Sequence, residues 1–199
     1  MKNTSINQAV VIVVALAWGL LANAASHAAD TSPIAKMSRQ ELIELAMSAA
    51  PSHIAKDATI LIPGPDGKML EARQGSNGFS CVPDIDGLAE PDPLCGDAAS
   101  WQWANDYMAG AEKPGNTQPG IAYMAKGGWH WEKNGKILMK DEPGAKLVKE
   151  PPHWMLFWPV NAKASGLPSL PHKKFGAYVM FDGTPYAHLM IHQDPMEIK

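Results

Sequence analysis

Two short stretches of the chain share one pattern: Pro152-His153-Trp154-Met155-Leu156 and Ala187-His188-Leu189-Met190-Ile191, the second followed directly by His192. Residues two apart in a strand project to the same face, so His153 sides with Met155, and His188 with Met190 and His192. Imidazole and thioether together suit copper, the thioether selecting the cuprous ion. If the two strands are neighbours, His153, Met155, His188, Met190 and His192 form a candidate metal site. The same imidazoles also suit acid–base chemistry, with His153 or His188 as the proton-transfer group and a carboxylate from the 84–97 region orienting it. Packing alone is the competing explanation, since methionine fills irregular cores and this chain has 11 of them. The sequence holds no Gly-x-Ser-x-Gly elbow, no His-Glu-x-x-His helix and no phosphate loop. Neither a hydrolase-like activity nor any other reaction class is therefore favoured.

Trp129 and Trp131 stand in a polar, glycine-rich setting, where exposed aromatic rings would offer a stacking surface for a sugar or another organic ligand. Asp84, Asp86, Glu90, Asp92 and Asp97 supply hard oxygen ligands. Their spacing departs from a calcium-binding loop, because Gly87 follows the second aspartate directly, so a solvated acidic loop is expected. The two cysteines, Cys81 and Cys95, carry no papain- or caspase-type signature around either thiol.

The compartment decides how those cysteines are read. Lys2 precedes an apolar run from Ala9 to Leu21, followed by the small-x-small triplet Ala22-Asn23-Ala24. This pattern predicts a secretory signal peptide over residues 1–24, with Ser26-His27-Ala28 as a second cleavage point. The run is well short of the roughly 20 residues a membrane-spanning helix needs. A periplasmic or secreted protein follows, with residues 25–199 as a single domain. In that oxidising setting Cys81 and Cys95 are expected to form a disulfide. The formal net charge is −3, and basic residues are scattered with no run beyond Lys173-Lys174. Such a balance excludes nucleic acid and an anionic membrane as partners and leaves a small ligand or a metal ion.

The elements that must position these residues can be read from period and punctuation. Ser38 with Glu41 makes a capping box for a helix that places Leu42, Leu45, Ala46 and Ala49 on one face, with Pro51 ending it. From Thr59 the period becomes two. Thr59–Ile62, Lys68–Arg73 and Phe79–Val82, separated by Gly- and Pro-rich turns, read as three strands of an antiparallel meander. Asp97 caps a second helix through Trp101, Trp103, Tyr107 and Met108, which Gly110 ends. Ile121–Met124, Trp154–Val160, Ala177–Phe181 and Ala187–Ile191 are strand-like, and Asn134-Gly135 marks a hairpin. The turns are too short for parallel crossovers, which predicts an α+β fold: a mostly antiparallel sheet with two main helices packed on it and one disulfide.

The motifs Gly75-Ser76-Asn77-Gly78-Phe79-Ser80-Cys81-Val82-Pro83-Asp84, Pro152-His153-Trp154-Met155 and Thr184-Pro185-Tyr186-Ala187-His188-Leu189-Met190 also carry a resemblance. With Pro93-Leu94-Cys95 between them, the chain resembles a family of small exported, mostly proteobacterial proteins without an assigned activity. The likeness runs from the first helix to Ile191, apart from the Trp129–Lys149 stretch. It implies a shared fold and export, and it brings no site residues with it.

Overall fold

A computed structural model describes residues 32–198; the signal segment and its cleavage point lie outside the described residues. Helix α1 (Arg39–Met47) starts at Ser38, whose Oγ accepts from the Glu41 N–H while the Glu41 carboxylate accepts from the Ser38 N–H. A one-turn helix α2 (Ser52–Ala55) follows Pro51. Strands β1 (Thr59–Pro63), β2 (Met69–Arg73), β3 (Phe79–Val82) and β4 (Leu94–Asp97) lead into helix α3 (Ala98–Met108). Then come β5 (Gly120–Met124), β6 (Gly128–Lys133), β7 (Lys136–Leu138), β8 (Lys146–Glu150), β9 (His153–Phe157), the short α4 (Ala162–Ser165), β10 (Ala177–Met180) and β11 (His188–Ile191).

Eight strands form one sheet in the order β10-β11-β9-β5-β4-β3-β1-β2, and β7-β6-β8 form a second, smaller sheet. Every pairing is antiparallel except β1 with β3. The α+β fold, with its mostly antiparallel sheet, two main helices and one disulfide, is therefore as the periodicity implied. The expected β1-β2-β3 meander is not. β1 lies between the other two and runs parallel to β3. The turn after β2 explains the difference. Ser76 and Asn77 donate their N–H groups to the Asp57 carbonyl, and a Cβ on Gly75 would lie 2.2 Å from the Thr59 nitrogen. The chain thus crosses under the start of β1 and enters β3 on its far side.

The alternation of side chains divides the core between the faces of the large sheet. On one face α1 buries Leu42 and Ala46 against Ile60, Ile62 and the Cys81–Cys95 disulfide, which joins directly opposed residues of β3 and β4. On the other face α3 packs Trp103 and Ala104 onto Ala122, Met155 and Phe157. Asp97 holds α3 in place by two bonds, accepting from Ser100 N–H at 2.8 Å and, through its other oxygen, from Ile121 N–H on β5 at 3.0 Å. Among the described residues no helix is long and apolar enough to cross a membrane.

Candidate ligand-binding site

β9 and β11 are hydrogen-bonded neighbours, so both His-x-Met units stand on one sheet. The register sets Met155 opposite Met190. Because the strands are antiparallel, the imidazoles flank this thioether pair at opposite ends. His188 lies beside Phe157, ring centroids 4.8 Å apart, and His153 lies beside His192 at 6.2 Å. His153, Met155, His188 and Met190 are all buried.

His153 and His188 are held in the same way. Nδ1 of His153 lies 2.7 Å from the Pro151 carbonyl, and Nδ1 of His188 lies 3.0 Å from the Tyr186 carbonyl. A carbonyl can only accept, so each Nδ1 carries the hydrogen and each Nε2 keeps its lone pair. Neither Nε2 has a protein partner among the described residues, and neither is sealed off as an orphaned buried atom. Both side chains line a cavity of about 430 Å³. Burial pushes the His188 imidazole down to about 4, and burial also lowers that of His153. Both are neutral bases at pH 7.

The cavity lies between the α3 face of the large sheet and the small sheet. Trp103 and Tyr107 from α3, Phe157 and Phe181, the thioethers of Met124, Met155, Met180 and Met190, and Ile85, Leu88 and Leu94 make it predominantly apolar. Trp129 and Trp131 also line it and are half-buried, alternating with His130 along β6. Lys149 Nζ sits 5.4 Å from the Trp129 ring centroid and pairs with Glu90.

At the junction of the two sheets lies Glu150, 2 % exposed and ringed by polar groups. Tyr178 Oη donates to its Oε1, and His192 Nε2 lies 2.6 Å from its Oε2. His130 Nδ1 is 2.6 Å from Oε1 without making a hydrogen bond to it. Burial by itself would raise the Glu150 carboxyl, but the contacts with His130, His192 and Tyr178 outweigh it and hold the group well below the usual carboxylate range. His192 therefore faces a carboxylate, while His153 and His188 present a free nitrogen to the cavity.

The acidic loop is not merely solvated. Carboxylate oxygens of Asp84, Asp86 and Asp92 come within 4.8 Å of one another, and Asp92 is buried at 3 % exposure. Burial, the hydrogen bond with Asp84 and the charge of Asp86 push Asp92 up to about 9, so it is protonated at pH 7. Among the described residues this is the gathering of ionisable ligand groups tight enough to surround one ion; His153, His188 and His192 do not converge in that way.

Period and spacing pointed to the two His-x-Met strands but not to His130, Glu150, Tyr178 or Asp92. His130 and Glu150 fall in the stretch whose glycines and charges dilute any pattern, and a buried glutamate has no local signature. The one available signal was the alternation Trp129-His130-Trp131, which puts the histidine on the opposite face from its neighbours. Comparison with protein families, with curated proteins and with solved structures finds no match for this chain.

Proposed function

We propose that this chain is an exported binding protein whose cavity takes a small, largely apolar molecule bearing a hydroxyl or amine donor. The observation that carries the reading is the pair of fixed tautomers: two neutral imidazoles, each with Nδ1–H engaged by the main chain, offer Nε2 lone pairs within an apolar cavity. Such a site accepts a hydrogen bond and penalises a ligand that brings only an acceptor. The aromatic walls add stacking area for a planar ring. A phenol is the simplest molecule with both properties. The Cys81–Cys95 disulfide and the signal-like start of the chain support an extracytoplasmic setting.

A second reading, a cuprous-ion carrier, draws on the register that sets Met155 against Met190 with an imidazole on either side. One titration separates the two. Residues 25–199 are mixed with 4-ethylphenol or with 4-ethylanisole, the same skeleton without the donor, and quenching of the cavity tryptophans is followed. The phenol should bind at least tenfold more tightly, and His188→Leu should remove most of that preference. Equal binding of the two probes would end the donor-reading site. Under the copper reading, cuprous ion added under argon binds one per chain against a chromophoric chelator, and Met155→Leu with Met190→Leu abolishes it while leaving phenol binding intact.

A further inference from the structure

The two donor-reading imidazoles stand at opposite ends of one strand. His153 is the first residue of β9, and His188 lies against Phe157, the last, with ring centroids 4.8 Å apart. Met155 and Met190, opposed in the register, form the cavity wall between them. At ~3.3 Å per residue the two histidines are roughly 13 Å apart along the strands, so no single hydroxyl reaches both lone pairs. The two ends are built differently. Around His188 the rings of Trp103, Phe157 and Phe181 close in, with centroids between 4.8 and 5.6 Å from the imidazole. His153 stands opposite Met124 of β5, at the end nearer Glu150. Both histidines line the one cavity of about 430 Å³, where a cavity of roughly 150 Å³ already holds a benzene ring. There is room for two rings in line. A two-ring ligand with a single donor pairs one imidazole and displaces water from the other, which leaves a buried acceptor unpaired at a cost in affinity.

We propose that the cavity takes one elongated ligand with a hydroxyl at each end, one donating to Nε2 of His153 and the other to Nε2 of His188, while its rings lie over the Met155–Met190 pair. The inference deepens the binding reading above and rests on it. The ligand class narrows from a simple phenol to a molecule of two linked rings with terminal hydroxyls. Donors set about 3 Å inside each imidazole, on the line joining them, would be roughly 7 Å apart, and donors directly above each imidazole roughly 13 Å apart. Hydroxyls at the far ends of two directly joined rings fall between these limits, and those on a single ring fall short of them. Polarisable thioether sulfurs beneath the rings favour the same aromatic body.

The test compares 4-phenylphenol with 4,4′-dihydroxybiphenyl, which adds one hydroxyl at the far end of the same skeleton. Wild-type residues 25–199 should bind the dihydroxy probe about tenfold more tightly or better, well beyond the factor of about two that a symmetric molecule gains from its equivalent orientations. His153→Leu and His188→Leu, each checked for folding by circular dichroism, should each reduce that preference to about twofold, because the remaining imidazole reads one hydroxyl only. Should the variants not fold, the wild-type protein decides by itself. With ¹⁵N-labelled histidine, one equivalent of the dihydroxy probe should shift the Nε2 resonances of His153 and His188 together. Affinities within about twofold in the wild type, a preference that survives either substitution, or an unmoved resonance at either histidine would overturn the two-ended ligand. The underlying site is judged separately by 4-ethylphenol against 4-ethylanisole. A preference for that phenol with none for the dihydroxy probe overturns the two-ended ligand alone, and equal binding within both pairs overturns the binding reading as well.

Discussion

His153 and His188 each have Nδ1 turned to a main-chain carbonyl, and burial sets how each responds to pH. The folded His188 protonates near 4 where a free imidazole does so near 6.5, so the unfolded chain binds the extra proton first. Its neutral burial adds stability that is complete above about pH 6.5 and is lost as the pH falls toward 4. Phenol binding should accordingly hold from pH 8 to pH 5 and collapse near pH 4, a profile measurable by tryptophan quenching. Asp92 has the opposite sign. Its folded carboxyl titrates at about 9, so holding it in place costs stability progressively as pH rises from about 4 toward 9. Asp92→Asn keeps the shape without the charge and should raise the melting temperature at pH 8 by about 3 °C or more, taking about 1 kcal/mol as the lower bound of the relief. At pH 4 the two proteins should melt together. Glu150→Ala leaves His130, His192 and the Tyr178 hydroxyl without their common acceptor, and urea unfolding should show a loss of about 3 kcal/mol.

Among the elements, α3 is the one whose seat is most tightly specified. A Cβ on Gly120 would lie 2.3 Å from the Ser100 backbone nitrogen, and one on Gly96 would meet the Ser100 hydroxyl. Backbone cannot swing aside as a side chain can, so Gly120→Ala must push the start of α3 off β5. The expected loss is about 2 kcal/mol in urea unfolding, together with weaker probe binding, because Trp103 and Tyr107 ride on the same helix. How legible each element was in the sequence follows from how local its cause is. The capping box at Ser38, the Asp97 cap and the Asn134-Gly135 hairpin, with both turn residues at positive φ, depend on contacts a few residues apart. Strands β4 and β8 were not read, the first because Pro93-Leu94-Cys95-Gly96 is too short to show a period, the second because Lys146–Glu150 is charged at both ends. The parallel pairing of β1 and β3 depends on the Gly75 crossing, a contact between backbones that no side-chain pattern announces. Likewise the His-x-Met faces were legible from period two, but that Glu150 gathers His130, His192 and Tyr178 from three separate strands or strand ends was not.

For the molecule as a whole, the two sheets are held together partly by apolar contact, Ile137 and Met139 packing on the large-sheet core, and partly by the Tyr178 and His192 contacts to Glu150. The disulfide braces the opposite face and does not touch the cavity. Replacing both cysteines by alanine should therefore lower stability by about 3 kcal/mol on the loop-entropy estimate while leaving probe affinity unchanged at a temperature where the protein stays folded. The different ways in which the histidines are held also bear on how the cavity withstands genetic drift. His153 and His188 are oriented by carbonyls two positions upstream, and a codon change at Pro151 or Tyr186 replaces the side chain while a carbonyl remains. His192, by contrast, depends on the carboxylate of Glu150, which a single nucleotide change can erase. Lineages descended from a common ancestor of this chain would then keep the tautomers of His153 and His188 through wide divergence, and would lose the contacts gathered at Glu150 first.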